Sequence, residues 1–223
     1  MQYKMFLLPT LLATGLFAAG ATQRLTNAAE VFQEIMQVAD RAIPQKLLDK
    51  AECVVIVPGM KKGALFLGGK YGRGFVVCRR DGGGWSAPAG ARVEGGSFGL
   101  QIGGAETDVI MLVMNQKGVK RLSQSKFTLG ADASVAAGPI GRQATAETDA
   151  LMTAEILTWS RSRGVFAGLS LQGATLRPDR DVNLELYKQS WGIEEIVRSG
   201  LETPPAARGL LDLLNKYSSR KAG

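Results

Sequence analysis

The stretch 59–106 constrains this chain more than any other, because 15 of the 28 glycines fall there. Glycine at that density would suit a disordered linker. Linkers, however, lack apolar runs such as Leu65-Phe66-Leu67, Phe75-Val76-Val77 and Phe98-Gly99-Leu100. Runs of this kind between glycines read as short strands, with turns at Gly68-Gly69 and Asp81-Gly82-Gly83-Gly84. A glycine inside a strand marks a bulge, a barrel corner or a close backbone approach. The spacing therefore predicts a strongly curved, largely antiparallel sheet.

The flanks add helices and further strands. In 27–42, Phe32, Ile35, Met36 and Ala39 share one helical face, and Asn27 with Glu30 forms a capping-box-like start. Pro44 opens a second short helix, 44–50. Cys53 to Val57 is an unbroken apolar run closed by Pro58, the pattern of a strand buried on both faces. Residues 107–114 and 127–129 read as strands, 116–124 as a short helix, and the small residues of 130–141 imply close backbone packing. Segments 156–160 and 165–171 predict a hairpin with the basic turn Arg161-Ser162-Arg163-Gly164. Residues 180–190 suit a helix or an extended strap, and Thr203 caps a last helix with Leu210, Leu211, Leu214 and Tyr217 on one side. The fold class is α+β, a single domain in which a curved sheet or partly closed barrel carries packed flanking helices.

Residues 1–21 hold one basic residue, Lys4, ahead of an apolar run ending at Ala19-Gly20-Ala21, a small-x-small cleavage pattern. The run is short for a membrane span and is broken by Pro9 and Thr10. These features predict a cleaved signal peptide over 1–21 and a mature domain over 22–223. That domain is expected to work in the periplasm or outside the cell, peripheral to a membrane. The formal charge is +7, or +6 once Lys4 is removed, which favours anionic partners. Export and the lack of any nucleic-acid module signature argue against DNA or RNA. Cys53 and Cys78 both lie in strand-like runs, so an oxidising compartment permits one disulfide, the alternative being two buried thiols.

Catalytic signatures fail for want of partners. Gly95-Gly96-Ser97-Phe98-Gly99 matches the pattern around a nucleophilic serine, but the chain contains no histidine to activate it. Gly68-Gly69-Lys70 is followed by Tyr71 rather than Ser or Thr, so it is not a phosphate loop. With two distant cysteines and no histidine, zinc or copper would need a carboxylate site, and no cofactor is expected. Glu106 and Asp108 share a strand face without an evident pocket between them. What is left is charge on loops. Lys61, Lys62, Lys70, Arg73, Arg161 and Arg163 are the candidate binding residues, each worth about 1 kcal/mol beside an anionic bilayer. Evenly spread solubilising charge would look the same in sequence. Tyr71 and Trp85 could join them at an interface or sit in the core.

Several motifs arrive in order between about 51 and 187: AECVVIVPGMKKG, GGKYGRG, WSAP, GGSFGLQIGG, DVIMLVMN, LGADASVAAGPIGR and WSRSRGVFAGLSLQG. Together they resemble the SYLF family, also called the Ysc84 or DUF500 domain, here in an exported, bacterial-type form. The resemblance implies phospholipid binding, actin binding in some fungal members, and no enzymatic activity. It also implies an amphipathic lipid-touching helix near 27–42. The polar face here is mostly acidic, so a helix packed on the sheet is expected instead. The expected function is non-catalytic binding of anionic phospholipid head groups at an envelope membrane. The alternatives are an adaptor that binds another protein, such as an envelope protein, and a carrier holding a lipid in an apolar pocket.

Overall fold

The computed structural model describes residues 20–38, 42–65, 67–98, 103–140, 153–162, 165–168 and 171–218. The expected signal peptide up to residue 19, Ala39 and Arg163 lie outside them.

Nine strands form one sheet among these residues: β1 Cys53–Leu65, β2 Leu67–Cys78, β3 Ala89–Phe98, β4 Gly103–Val113, β5 Phe127–Thr128, β6 Val135–Ala137, β7 Ile156–Ser162, β8 Val165–Gly168 and β9 Thr175–Pro178. The order is β5-β9-β3-β2-β1-β4-β7-β6, with β8 beside β7. Every pairing is antiparallel except β6–β7. The helices are α1 Ala21–Gln37, α2 Gln45–Lys50, α3 Gln116–Leu122, α4 Arg180–Tyr187, α5 Ile193–Arg198 and α6 Arg208–Tyr217. The α+β class and the curved, largely antiparallel sheet are as expected. None of these helices is long and apolar enough to cross a membrane.

Alternation along β1 and β2 sends side chains into two cores, one on each face of the sheet. Val54, Ile56, Phe75 and Val77 meet Leu25, Phe32 and Ile35 of α1 and Leu210 and Leu214 of α6. Cys53, Val55, Val57, Met60 and Val76 meet Val93, Phe127, Leu176, Ile193 and Ile196 on the inner face. The run at 53–57 is thus buried on both faces, as its unbroken hydrophobicity required.

Pro58 does not end the strand. It sits in a bulge where β1 slips by one residue against both neighbours, between Ile56 and Lys61 on one side and Val57 and Met60 on the other. A bulge tolerates a residue that cannot donate to the ladder. Gly59, at φ +60°, donates its N–H to Asp108 Oδ1 at 2.8 Å. Opposite the bulge, β2 offers Gly72 and Gly74. A Cβ at Gly74 would stand 2.0 Å from the Ile56 carbonyl oxygen. The glycine-rich pattern therefore reflects close strand approach at a bend.

Several boundaries differ from expectation. The first helix starts at Ala21, six residues before Asn27, because Ala21, Leu25 and Ala28 extend the buried stripe of Phe32 and Ile35. Asn27 is not a cap; its Oδ1 accepts from Gln23 Nε2. Gly68-Gly69 is not a turn but part of β2, since the ladder of Val54↔Val77 and Ile56↔Phe75, after its one-residue slip at the bulge, continues through Lys61↔Tyr71 to Leu65↔Leu67. Arg161 lies within β7 rather than in a basic turn. Thr203 caps nothing, because Pro205 opens a 3₁₀ turn, Pro205–Ala207, ahead of α6. Residues 180–187 are a helix, capped by Asp179, whose Oδ1 accepts from Val182 N–H. The small residues near 138 pack closely: a Cβ at Gly138 would stand 2.1 Å from the Trp159 ring, whose Nε1 donates to Pro139 O at 2.9 Å.

Candidate interaction surface

The two long strands β1 and β2 run past the bulge to a hairpin end, and the lysines lie on this extension. The register pairs Lys62 with Lys70 and Lys61 with Tyr71. Lys62 and Lys70 follow Met60 and Gly72 on the inner face. Lys61 and Tyr71 lie on the opposite face, where Lys61 is also paired with Glu106 of β4. The structure thus brings Lys62 and Lys70 together and sends Lys61 the other way. Burial, and then repulsion from Lys70, hold the Lys62 ammonium below its ordinary value. Tyr71 is 45% exposed, whereas Trp85 is buried under the Arg79 guanidinium, 3.9 Å from the ring centroid.

The arginines of the expected set are committed elsewhere. Arg73 forms a two-pronged pair with Asp179, Nη2 to Oδ1 at 2.7 Å and Nε to Oδ2, and the Asp179 side chain is fully buried. Burial alone would raise the Asp179 carboxyl. The Arg73 hydrogen bonds and charge outweigh it and hold the group below the usual carboxylate range. Arg161 is gripped by Asp108 at 2.6–2.7 Å and by Glu34 of α1, tying helix to sheet. Both are fold-holding residues, and Arg163 lies outside the described residues. Cys53 and Cys78 are disulfide-bonded across the β1–β2 ladder, their Cα atoms 4.0 Å apart.

At the far end of the same strands, a cavity of about 780 Å³ is lined by Glu52, Arg79, Arg80, Asp81, Gln116 and Arg198 among others. Such a lining is polar and does not suit the acyl chain of a lipid. Among the described residues no group of three or more Cys, Asp or Glu is arranged to hold a metal ion.

Comparison with known proteins assigns the domain. A family model described as Ysc84, Las17-binding protein actin regulator, matches residues 94–217. An SH3 domain-containing protein of Schizosaccharomyces pombe is 36% identical over 180 residues, 79% of this chain and 42% of that protein. Protein YSC84 of Saccharomyces cerevisiae is 34% identical over 198 residues, 86% of this chain and 42% of its own length. SH3 domain-containing YSC84-like protein 1 of Mus musculus is 28% identical over 200 residues, 87% of this chain and 58% of that protein. The chain thus spans about two fifths of the length of the fungal relatives. On the family match and these identities, the chain belongs to the Ysc84 (SYLF) family.

Proposed function

We propose that this domain is a non-catalytic binding module whose partner is another protein. Family membership carries the reading, since the family is described as Las17-binding actin regulators. The hairpin end supports it: Lys61 stands across the ladder from an exposed Tyr71, a pairing of a cation and an amphipathic ring that favours an acidic protein surface, and Lys62 and Lys70 add charge on the other face. Were residues 1–21 to direct export, the partner would be an envelope protein.

A second reading is adhesion to anionic phospholipid head groups, favoured by the Lys62–Lys70 opposition. Two adjacent ammonium groups bind a shared anion better than they tolerate each other. Co-sedimentation separates the two. The chain is spun with filamentous actin, and separately with phosphatidylcholine vesicles with or without phosphatidylglycerol, each at low and high salt. Binding to filaments without binding to either kind of vesicle supports the protein reading. Binding only to phosphatidylglycerol vesicles, lost with salt, supports the head-group reading. Sedimentation with neither probe removes the support for both.

A further inference from the structure

The cavity at the far end of β1 and β2 has the Cys53–Cys78 disulfide in its wall. Both cysteines share the inner face of the sheet with Val55 and Val76. On that face the cavity opens between α3 and α5, whose Val119 and Val197 add apolar wall. Exchange at a disulfide requires that an attacking thiolate reach one of its sulfurs. Cys53 is fully buried and Cys78 keeps 6% exposure, so a molecule entering the cavity meets Cys78 first. The backbone around the bond is held independently of it. Cys78 N–H donates to Ser86 Oγ at 3.0 Å, and Cys78 O accepts from Ser86 N–H at 2.8 Å. Glu52 N–H donates to Val113 O, and Arg79 N–H to Glu52 O. Opening the bond would therefore leave two thiols facing each other in an intact ladder, placed to close again.

The lining carries both signs of charge. Arg80 and Asp81 come from the tight turn after β2, in which Gly83 N–H donates to Arg80 O at 3.0 Å. Arg80 is exposed and reaches toward Gly200, where an added Cβ would stand 3.9 Å from its Nη2. Arg198 comes from the last turn of α5 and Glu52 from the residue before β1. The Arg79 guanidinium is occupied elsewhere: it stacks on Trp85 and donates to Leu48 O and Ser218 O, each at 3.1 Å. With Arg79 set aside, two arginines and two carboxylates line the space, which suits a zwitterion better than a simple anion. A volume of about 780 Å³ accommodates a short peptide.

We propose that this cavity binds a small zwitterionic thiol, a cysteinyl amino acid or short peptide, and that the bound thiol exchanges with the Cys53–Cys78 disulfide. Its carboxylates lie against Arg80 and Arg198, and its ammonium group against Glu52 or Asp81. The thiolate attacks Cys78 Sγ. A new S–S bond forms, the bond to Cys53 breaks, and Cys53 leaves as a thiolate that takes a proton from water. The small thiol is oxidised as Cys53 is reduced. A second small thiolate then attacks the sulfur of the first, releasing the symmetrical small disulfide and the Cys78 thiolate. Run in reverse, the small disulfide restores the protein's bond and is reduced to two thiols. The crosslink between β1 and β2 thus follows the thiol–disulfide ratio around the domain. This site lies at the opposite end of the strands from Lys62 and Lys70, and it does not depend on the protein-partner reading.

The test mixes the full, disulfide-bonded chain with glutathione, and separately with 2-mercaptoethanol and cysteamine, at matched thiolate concentrations. Quenched samples are read by intact mass and peptide mapping. Glutathione should react about tenfold faster than either comparison thiol, saturate with concentration, and form its mixed disulfide at Cys78. Arg80→Glu should remove that advantage and leave the 2-mercaptoethanol rate unchanged. S-methylglutathione, which has no free thiol, should slow the glutathione reaction and shift amides around Arg80. Equal rates for the three thiols, rising together with urea, would mean that the bond opens only by unfolding and would overturn the proposal. A mixed disulfide at Cys53 instead of Cys78, or a glutathione rate undiminished in Arg80→Glu, also overturns it. If Arg80→Glu does not fold, Arg198→Gln and the three-thiol comparison on the parent chain decide.

Discussion

Lys62 stands directly opposite Lys70 across the β1–β2 ladder, on the face that carries Met60 into the inner core. Two like charges so placed work against the strand pairing they sit on. Burial and Lys70 depress the Lys62 ammonium below 10.5. A lysine whose folded value lies below its unfolded one subtracts stability wherever it is charged in both states. That loss vanishes as pH rises through the folded value to 10.5. Lys62→Gln should therefore stabilise the domain by about 0.5 kcal/mol at pH 7, with no gain above pH 10.5. If the pair serves an acidic partner or bilayer, the same variant should bind anionic vesicles or acidic partners more weakly. Urea titrations at two pH values, with sedimentation alongside, read both effects. A variant that loses stability would show that the lysines support the hairpin.

Arg73 and Asp179 predict an acid-sensitive joint between β2 and the start of α4. The folded Asp179 carboxyl lies below its ordinary value of 3.8, so its contribution is fully present above that value. It is lost as pH falls through the lower folded value. Asp179→Asn keeps an acceptor for Val182 N–H but loses the charge facing Arg73. It should lower stability at pH 7 by about 2 kcal/mol and flatten the acid limb of the stability profile. Chemical denaturation of both proteins between neutral and strongly acid pH checks this. Parallel profiles would mean that the pair carries none of the pH dependence.

Cys53 and Cys78 are bonded across strands that already share a hydrogen-bonded ladder, with a sequence separation of 25. The crosslink should therefore act mainly on the unfolded chain, contributing about 3 kcal/mol. The Cys53→Ala/Cys78→Ala double variant should keep the far-ultraviolet spectrum of the parent and unfold at lower denaturant. Reductant should lower the parent to the level of the variant and leave the variant unchanged. Loss of the sheet spectrum would instead make the bond a condition of folding.

The sheet was legible where hydrophobicity was unambiguous. The run 53–57 announces a strand with two buried faces, and glycine spacing announces curvature, because both are local consequences of packing. The register was not legible. Gly68-Gly69 has turn chemistry, yet buried rungs farther along fix the ladder and place those glycines inside β2. The helix start misled for a similar reason: Asn27 has capping chemistry, but Ala21 and Leu25 are buried by the fold and extend the helix past it. At the candidate surface, composition identified the basic residues but not their partners. Asp179 lies 106 residues from Arg73, and Glu34 lies 127 from Arg161, so both ion pairs exist only in three dimensions.

Gly74 is the position at which curvature can be tested by one methyl group. Its missing Cβ would meet the Ile56 carbonyl oxygen at 2.0 Å and the Val57 Cα at 2.7 Å. Both are backbone atoms at the bulge, so neither can rotate away, and accommodation must reopen the bend between β1 and β2. Gly74→Ala should therefore lose about 2 kcal/mol or more, at the upper end of overpacking effects. Gly69, farther along the same strand, has nothing within 4 Å of its would-be Cβ. Gly69→Ala should be neutral or stabilise by about 0.5 kcal/mol, by restricting the unfolded chain. Denaturant midpoints of the two variants separate close approach from mere strand flexibility, because only the first predicts opposite outcomes at two glycines of one strand. Equal effects would assign the glycines of β2 to flexibility. A loss confined to Gly74→Ala, accompanied by weaker partner binding, would tie the bend to the presentation of Lys62 and Lys70 at the hairpin end.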